Sequence, residues 1–264
     1  MSILLIGTGS GFFHVAGGRV AIMATAGKAK GPGIFAAPGV IGLAIGGFFA
    51  IKGIHAEYYL LAGISALAVL SAFLPLKTVA PLLSEKAKVD FDLHDLFMLL
   101  LLVAIAMRSA IWNLYQYIYA EQWELLLLAG SAAALGKLSG GFLADWLGWK
   151  GYALIALISS AILLTLSNHF PWLFIPGVGL LQSATPLAVS AMHRFLPHKP
   201  ATTAGLTFGL AIIIGGIPMF MEIGPTLDVN WVSGITLLAV AAGYFWILHR
   251  QDNYLSPKNQ INPV

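Results

Sequence analysis

Arg108 is the residue around which chemistry could be built. It falls in the middle of the apolar run 95–118, where burying a guanidinium costs on the order of several kcal/mol unless it is paired or lines water. Substrate contact is one reading; an arginine that fixes helix packing by pairing with backbone carbonyls is the other. One and two helical turns on, Trp112, Tyr115, Gln116 and Tyr119 share its side, with Asn113 and Tyr117 on the flank. That polar and aromatic face suits an amphipathic ligand. His14 lies mid-run beside Phe12 and Phe13, placed either to relay protons near neutral pH or to donate a packing hydrogen bond. Asp145 stands in GFLADWLGWK, Gly141 to Lys150, with glycine on both flanks. A carboxylate in such a turn can accept backbone N–H groups at a helix N-terminus, across the molecule or as a local cap.

Other chemistries lack their residues. With no cysteine, thiol catalysis, disulfides and thiolate metal sites are excluded. There is no paired aspartate, zinc-type His-Glu cluster or serine with a plausible partner inside an apolar run, so no enzyme, metal or cofactor is expected. Glu57 and Glu222 lie near the ends of runs, and no carboxylate lies in the middle of one. ILLIGTGSGFF has the glycines of a dinucleotide loop but lies within one apolar run, without the acidic residue about 20 positions on that such a loop needs.

The elements that must position these residues are membrane helices. The chain is 58% hydrophobic and 9% charged over 264 residues, too much apolar surface for a water-soluble domain of this size. Nine runs can each cross a bilayer: roughly 2–24, 31–52, 55–76, 95–118, 122–144, 151–168, 171–193, 203–222 and 230–249. The sequence therefore predicts an all-α polytopic bundle. If successive loops alternate sides, one side holds Arg19, Lys28, Lys30, Lys77, Lys86, Lys88, Lys137, Lys150, Arg194, Lys199, Arg250 and Lys258, and the other only Lys52. Arg108 is then the one cation left deep in a span. This sorting makes the basic side cytoplasmic, with the N-terminus outside and the C-terminus inside the cytoplasmic membrane. The same sorting accounts for the basic pI without nucleic acid.

Four blocks follow: three spans over 1–76, a central cytoplasmic loop over 77–94, six spans over 95–250 and a cytoplasmic tail over 251–264. A shift of 170 residues superposes Gly7 on Gly177, Gly9 on Gly179, Gly39 on Gly209 and Gly46 on Gly216, a faint sign of parallel six-helix halves. Pro38, Gly39, Gly42 and Gly46 give the second span a bendable, small-residue face suited to close helix contact.

GFLADWLGWK resembles the loop signature of the major facilitator superfamily, matching it at Gly141, Leu143, Ala144, Asp145, Gly148 and Lys150, with Trp146 and Trp149 in place of two arginines. Five spans precede it here, which fits the family's second copy, after helix eight, if the chain corresponds to helices 4–12 of twelve. GTGSGFFHVAGG, MRSAIW and FLPHKPATTAGLTFGLAIIIGG resemble segments of the fosmidomycin-resistance-like branch in matching order, although Val15 stands where that branch has proline. Ala37 to Gly47 resembles the exporters' fifth-helix motif.

The resemblance implies a secondary transporter working by alternating access, as an exporter. Asp145 would latch the two halves against the start of the second span, Gly31-Pro32-Gly33, and the two tryptophans would weaken the latch by removing its charge partners. The substrate would lie near Arg108, Trp112, Tyr115, Gln116 and His14. Expected partners are a small molecule, anionic if Arg108 reads it, a coupling proton if His14 relays one, and the bilayer. A truncated, non-transporting membrane remnant or scaffold is the alternative.

Overall fold

A computed structural model describes residues 2–73, 93–221 and 228–254. The described residues form helices and turns with no strand, in an order that follows the nine apolar runs: α1 (Ser2–Ala24), α2 (Lys30–Ile51), α3 (Glu57–Ala72), α4 (Leu93–Ile118), α5 (Trp123–Leu147) and α6 (Trp149–Leu166). A seventh pass comprises α7 (Phe174–Ser183) and α8 (Thr185–Phe195). An eighth comprises α9 (Pro200–Ala204), a π-helical turn (Gly205–Leu210) and α10 (Ala211–Phe220), and α11 (Val229–Tyr254) is the last. Among the described residues, seven passes are long and apolar enough to cross a bilayer. The chain is an all-α polytopic membrane protein. Within α1, the glycines, Thr8, Ser10, His14 and Arg19 thin the hydropathy of an otherwise long helix, and α3 is a shorter apolar helix. The dinucleotide-like glycines lie inside α1, without the strand that such a loop requires. Most of the central loop, Glu222 and residues 255–264 lie outside the described residues.

From α4 onward the helices share one core, in which Leu101, Tyr115, Leu157, Phe174, Leu181, Met192 and Tyr244 are almost fully buried. Small residues set its spacing: a side chain on Gly140 would run into the Ser183 backbone, and one on Gly136 into the carbonyl of Gly179. Such close approach between helices replaces the solvent-driven burial that lipid cannot supply. The first block joins this core mainly through α2, which runs antiparallel to α5. Gly33 meets Lys137 and Gly141 near one end, Ala44 meets Gly130 midway, and Phe48 meets Trp123 at the other end. A second, smaller cluster of Ile22, Val189, Ala204 and Phe208 ties α1 to α8, α9 and the π-turn.

Two features differ from the sequence expectation. Gly39, Gly42 and Gly46 have open space where a side chain would project, and Pro38 is exposed. The close contacts of α2 fall instead on Gly31, Gly33, Ala37, Val40 and Ala44, because the face toward α5 is rotated away from the Gly39–Gly46 stripe. Lys137, assigned above to the basic side, is inside α5, ten residues before Leu147, or about 15 Å from that helix end. The run continues past 144, and its glycines let the lysine-bearing segment pack inward.

Candidate functional site

The Asp145 side chain joins the two blocks. α5 ends where Gly148 takes φ +87°, a left-handed value glycine adopts without strain, and α6 begins at once with Trp149. This tight reversal holds the last turn of α5 beside the first turn of α2. Gly141, where an added Cβ would stand 2.8 Å from the Ala29 carbonyl, lets the two backbones approach. Asp145 Oδ1 accepts the Ala29 N–H at 2.9 Å and Oδ2 accepts the Lys30 N–H at 3.0 Å. Both donors belong to the N-terminus of α2, where no side chain of its own caps the helix. The carboxylate therefore supplies both missing acceptors and sits at the positive end of the helix dipole. The contact falls one to two residues before Gly31-Pro32-Gly33, all three of which are buried.

The Trp149 indole adds a third hydrogen bond, donating Nε1–H to Asp145 Oδ1 at 3.1 Å, and the Arg194 guanidinium lies 3.7 Å above the ring centroid. The tryptophan thus supports the carboxylate directly and brings a cation to it through the ring face, a geometry worth about 0.5–1 kcal/mol at an exposed site. Its spacing, four residues from Asp145, was the available sequence signal. Lys150 lines the cleft beside Asp145 and Arg194.

The polar face predicted on α4 divides among three environments. Arg108 is 3% exposed, and its Nη1 donates to the Thr185 hydroxyl at 2.6 Å, with the Leu181 carbonyl and Gln182 Oε1 each at 3.4 Å. These acceptors surround the α7–α8 break. Pro186 has no N–H for the Gln182 carbonyl and crowds that turn, so the ladder is interrupted where the guanidinium docks. Tyr115 points into the core, donating to Asn230 Oδ1 at 2.8 Å, and stacks against Tyr119. Trp112 and Gln116 instead line a cavity of about 250 Å³ between α2, α4 and α5, together with Val40, Ala44, Phe48 and Gly130.

His14 is elsewhere. Its Nδ1 lies 2.8 Å from the Ser10 carbonyl, which can only accept, so Nδ1 carries the proton there. The ring packs near Phe13, Phe35 and Phe208, at the junction of α1, α2 and the π-turn. The structure thus joins Trp112 to Gln116, puts Arg108 and Tyr115 in the core, and leaves His14 without contact to any of them. Among the described residues, no cluster of three or more His, Asp or Glu side chains could hold a metal.

No family model, curated protein or solved structure matches this chain.

Proposed function

We propose that this membrane protein is a secondary transporter of the major facilitator type, moving a small molecule across the cytoplasmic membrane by alternating access. The observation that carries the reading is the pair of hydrogen bonds from Ala29 and Lys30 to Asp145. A carboxylate from one block capping a helix of the other is a breakable contact whose loss frees two backbone donors and one charge. The neighbouring seam has the same character: Val189, Ala204 and Phe208 of one block meet Ile22 of the other through small apolar contacts. The basic side, carrying Lys28, Lys150 and Arg194, is then cytoplasmic, so the described conformation is closed on the inside. The Trp112–Gln116 cavity between the blocks is the place for cargo. Export is the direction we assign.

One observation favours a second reading, a non-transporting membrane scaffold. The described side chains of α3 are all exposed, and the outer halves of α1 and α2 offer glycines with nothing against them. Cysteine accessibility in sealed vesicles separates the two. A transporter has reciprocal exposure: Asp145→Asn raises labelling at Val189→Cys from the cytoplasmic side and lowers it at Trp112→Cys from outside. A scaffold gives unchanged labelling at both positions.

A further inference from the structure

Among the described residues, the hydrogen-bond partners of Arg108 are polar but all neutral. The guanidinium uses Nη1 on the α7–α8 break, while its Nε–H is buried and meets no acceptor. The Tyr244 hydroxyl of α11 is fully buried with its oxygen toward the guanidinium, and its own O–H meets no acceptor. Lys137 of α5 lies within Coulombic reach of Arg108, and among the described residues no carboxylate acts on either side chain.

The helix register shows why. Asp95 and Glu121 are each thirteen residues from Arg108 along or just beyond α4, about 20 Å away at 1.5 Å per residue. Asp145 is eight residues from Lys137, about 12 Å by the same rise, and is already engaged by α2. The Arg108 Nε–H and the Tyr244 O–H thus lie together in the core, with Lys137 within electrostatic reach of the guanidinium. The Tyr244 oxygen can accept from the guanidinium, but the Tyr244 O–H and the Arg108 Nε–H still lack an acceptor beside a cation, so the complement is an acceptor that carries negative charge. The free Nε edge of an arginine presents two parallel N–H groups, which fit the two oxygens of a planar carboxylate.

We propose that Arg108, Lys137 and Tyr244 form a buried binding site for a carboxylate group, belonging to a small free acid or to the transported molecule. The carboxylate lies against the Nε edge of Arg108, accepts the Tyr244 O–H, and is balanced by the Lys137 ammonium. The half-buried position of Lys137, beside the Gly33 backbone of α2, places one side of the site at the seam between the blocks. Only the assignment of this carboxylate as cargo rests on the transporter reading.

The test is thermal unfolding of the purified full-length protein with sodium formate against sodium chloride at equal ionic strength. The parent should show a saturable, formate-specific rise in Tm. Lys137→Gln and Tyr244→Phe, which keep the Arg108 contacts to Thr185, Gln182 and Leu181, should lose most of that rise. Lys137→Glu builds a carboxylate into the site, so it should match or exceed the parent's Tm in formate and respond no further. A parent indifferent to formate would overturn the proposal, as would a response that persists in Lys137→Gln. Uptake of labelled formate into proteoliposomes would identify the group as cargo. Binding without uptake identifies a resident ligand and overturns only its assignment as cargo; the transporter reading stands or falls separately, on the Val189→Cys and Trp112→Cys labelling.

Discussion

Replacing Asp145 by asparagine keeps the shape of the side chain while altering the contact between the blocks. In the native chain both carboxylate oxygens accept helix N–H groups, and Oδ1 also accepts the Trp149 indole. Asparagine retains one acceptor and turns an NH₂ toward a donor, so at least one charge-assisted bond is lost along with the favourable charge at the dipole. Hydrogen bonds to charged groups contribute about 1.5–3 kcal/mol, and the dipole term about 0.3–1 kcal/mol. Asp145 is only partly buried, so about 2 kcal/mol in total is reasonable, equivalent to about a thirtyfold shift in the closed–open equilibrium. The chain has no cysteine, and Val189 is 1% exposed at the seam, so Val189→Cys is a clean reporter. Its labelling by a membrane-impermeant thiol reagent from the cytoplasmic side should accelerate by up to about thirtyfold in Asp145→Asn, with unchanged expression. An unchanged rate would reduce Asp145 to a static helix cap and refute the gating argument.

Trp149→Phe keeps a ring under Arg194 but removes the N–H to Asp145; losing about 1 kcal/mol should accelerate the same labelling about fivefold. Gly33→Val should expose the seam more strongly, because its Cβ would stand 2.6 Å from the Lys137 carbonyl, a backbone atom that cannot move aside; Gly39→Ala, which faces open space, should leave both Tm and labelling intact. Arg108→Ala strands the Thr185, Gln182 and Leu181 acceptors and should lower stability by about 3 kcal/mol, read as a fall in Tm in detergent. Arg108→Lys should recover part of that fall but not the planar contact. A cysteine at Glu121 should react with impermeant reagent only from outside; reaction only from the cytoplasm would invert the topology.

Much of the architecture was legible because lipid imposes a simple rule on the sequence. Apolar runs of helical length mark the passes, and the tight turn at Gly148, just past Asp145, is legible from glycine spacing. Lys137 lies deeper than the apolar run 122–144 implies, because that run ends only seven residues past the lysine. The helix continues to Leu147 and buries it more deeply. The α4 face divided because the sequence gives angular position on one helix and not which neighbours surround it. Trp112 and Gln116 met α2 and α5, whereas Tyr115 met Asn230. Gly7 and Gly177, paired by the internal repeat, also part company: one faces open space, the other packs on Leu164. The π-turn at Gly205–Leu210 leaves no mark in composition, since it shifts hydrogen-bond partners and not the apolar pattern.

The central claim is that the two blocks move against each other around the Asp145 contact. Pulsed electron–electron double resonance on two label pairs tests it most directly, with Lys28 and His198 across the seam on the basic side, cytoplasmic in the proposed topology, and Gly7 and Phe220 across the opposite side. The account predicts a short cytoplasmic distance in the parent. In Asp145→Asn a second, longer population should appear, accompanied by a shorter one for the Gly7–Phe220 pair. A single unaltered distance at both pairs, in parent and variant alike, would contradict alternating access.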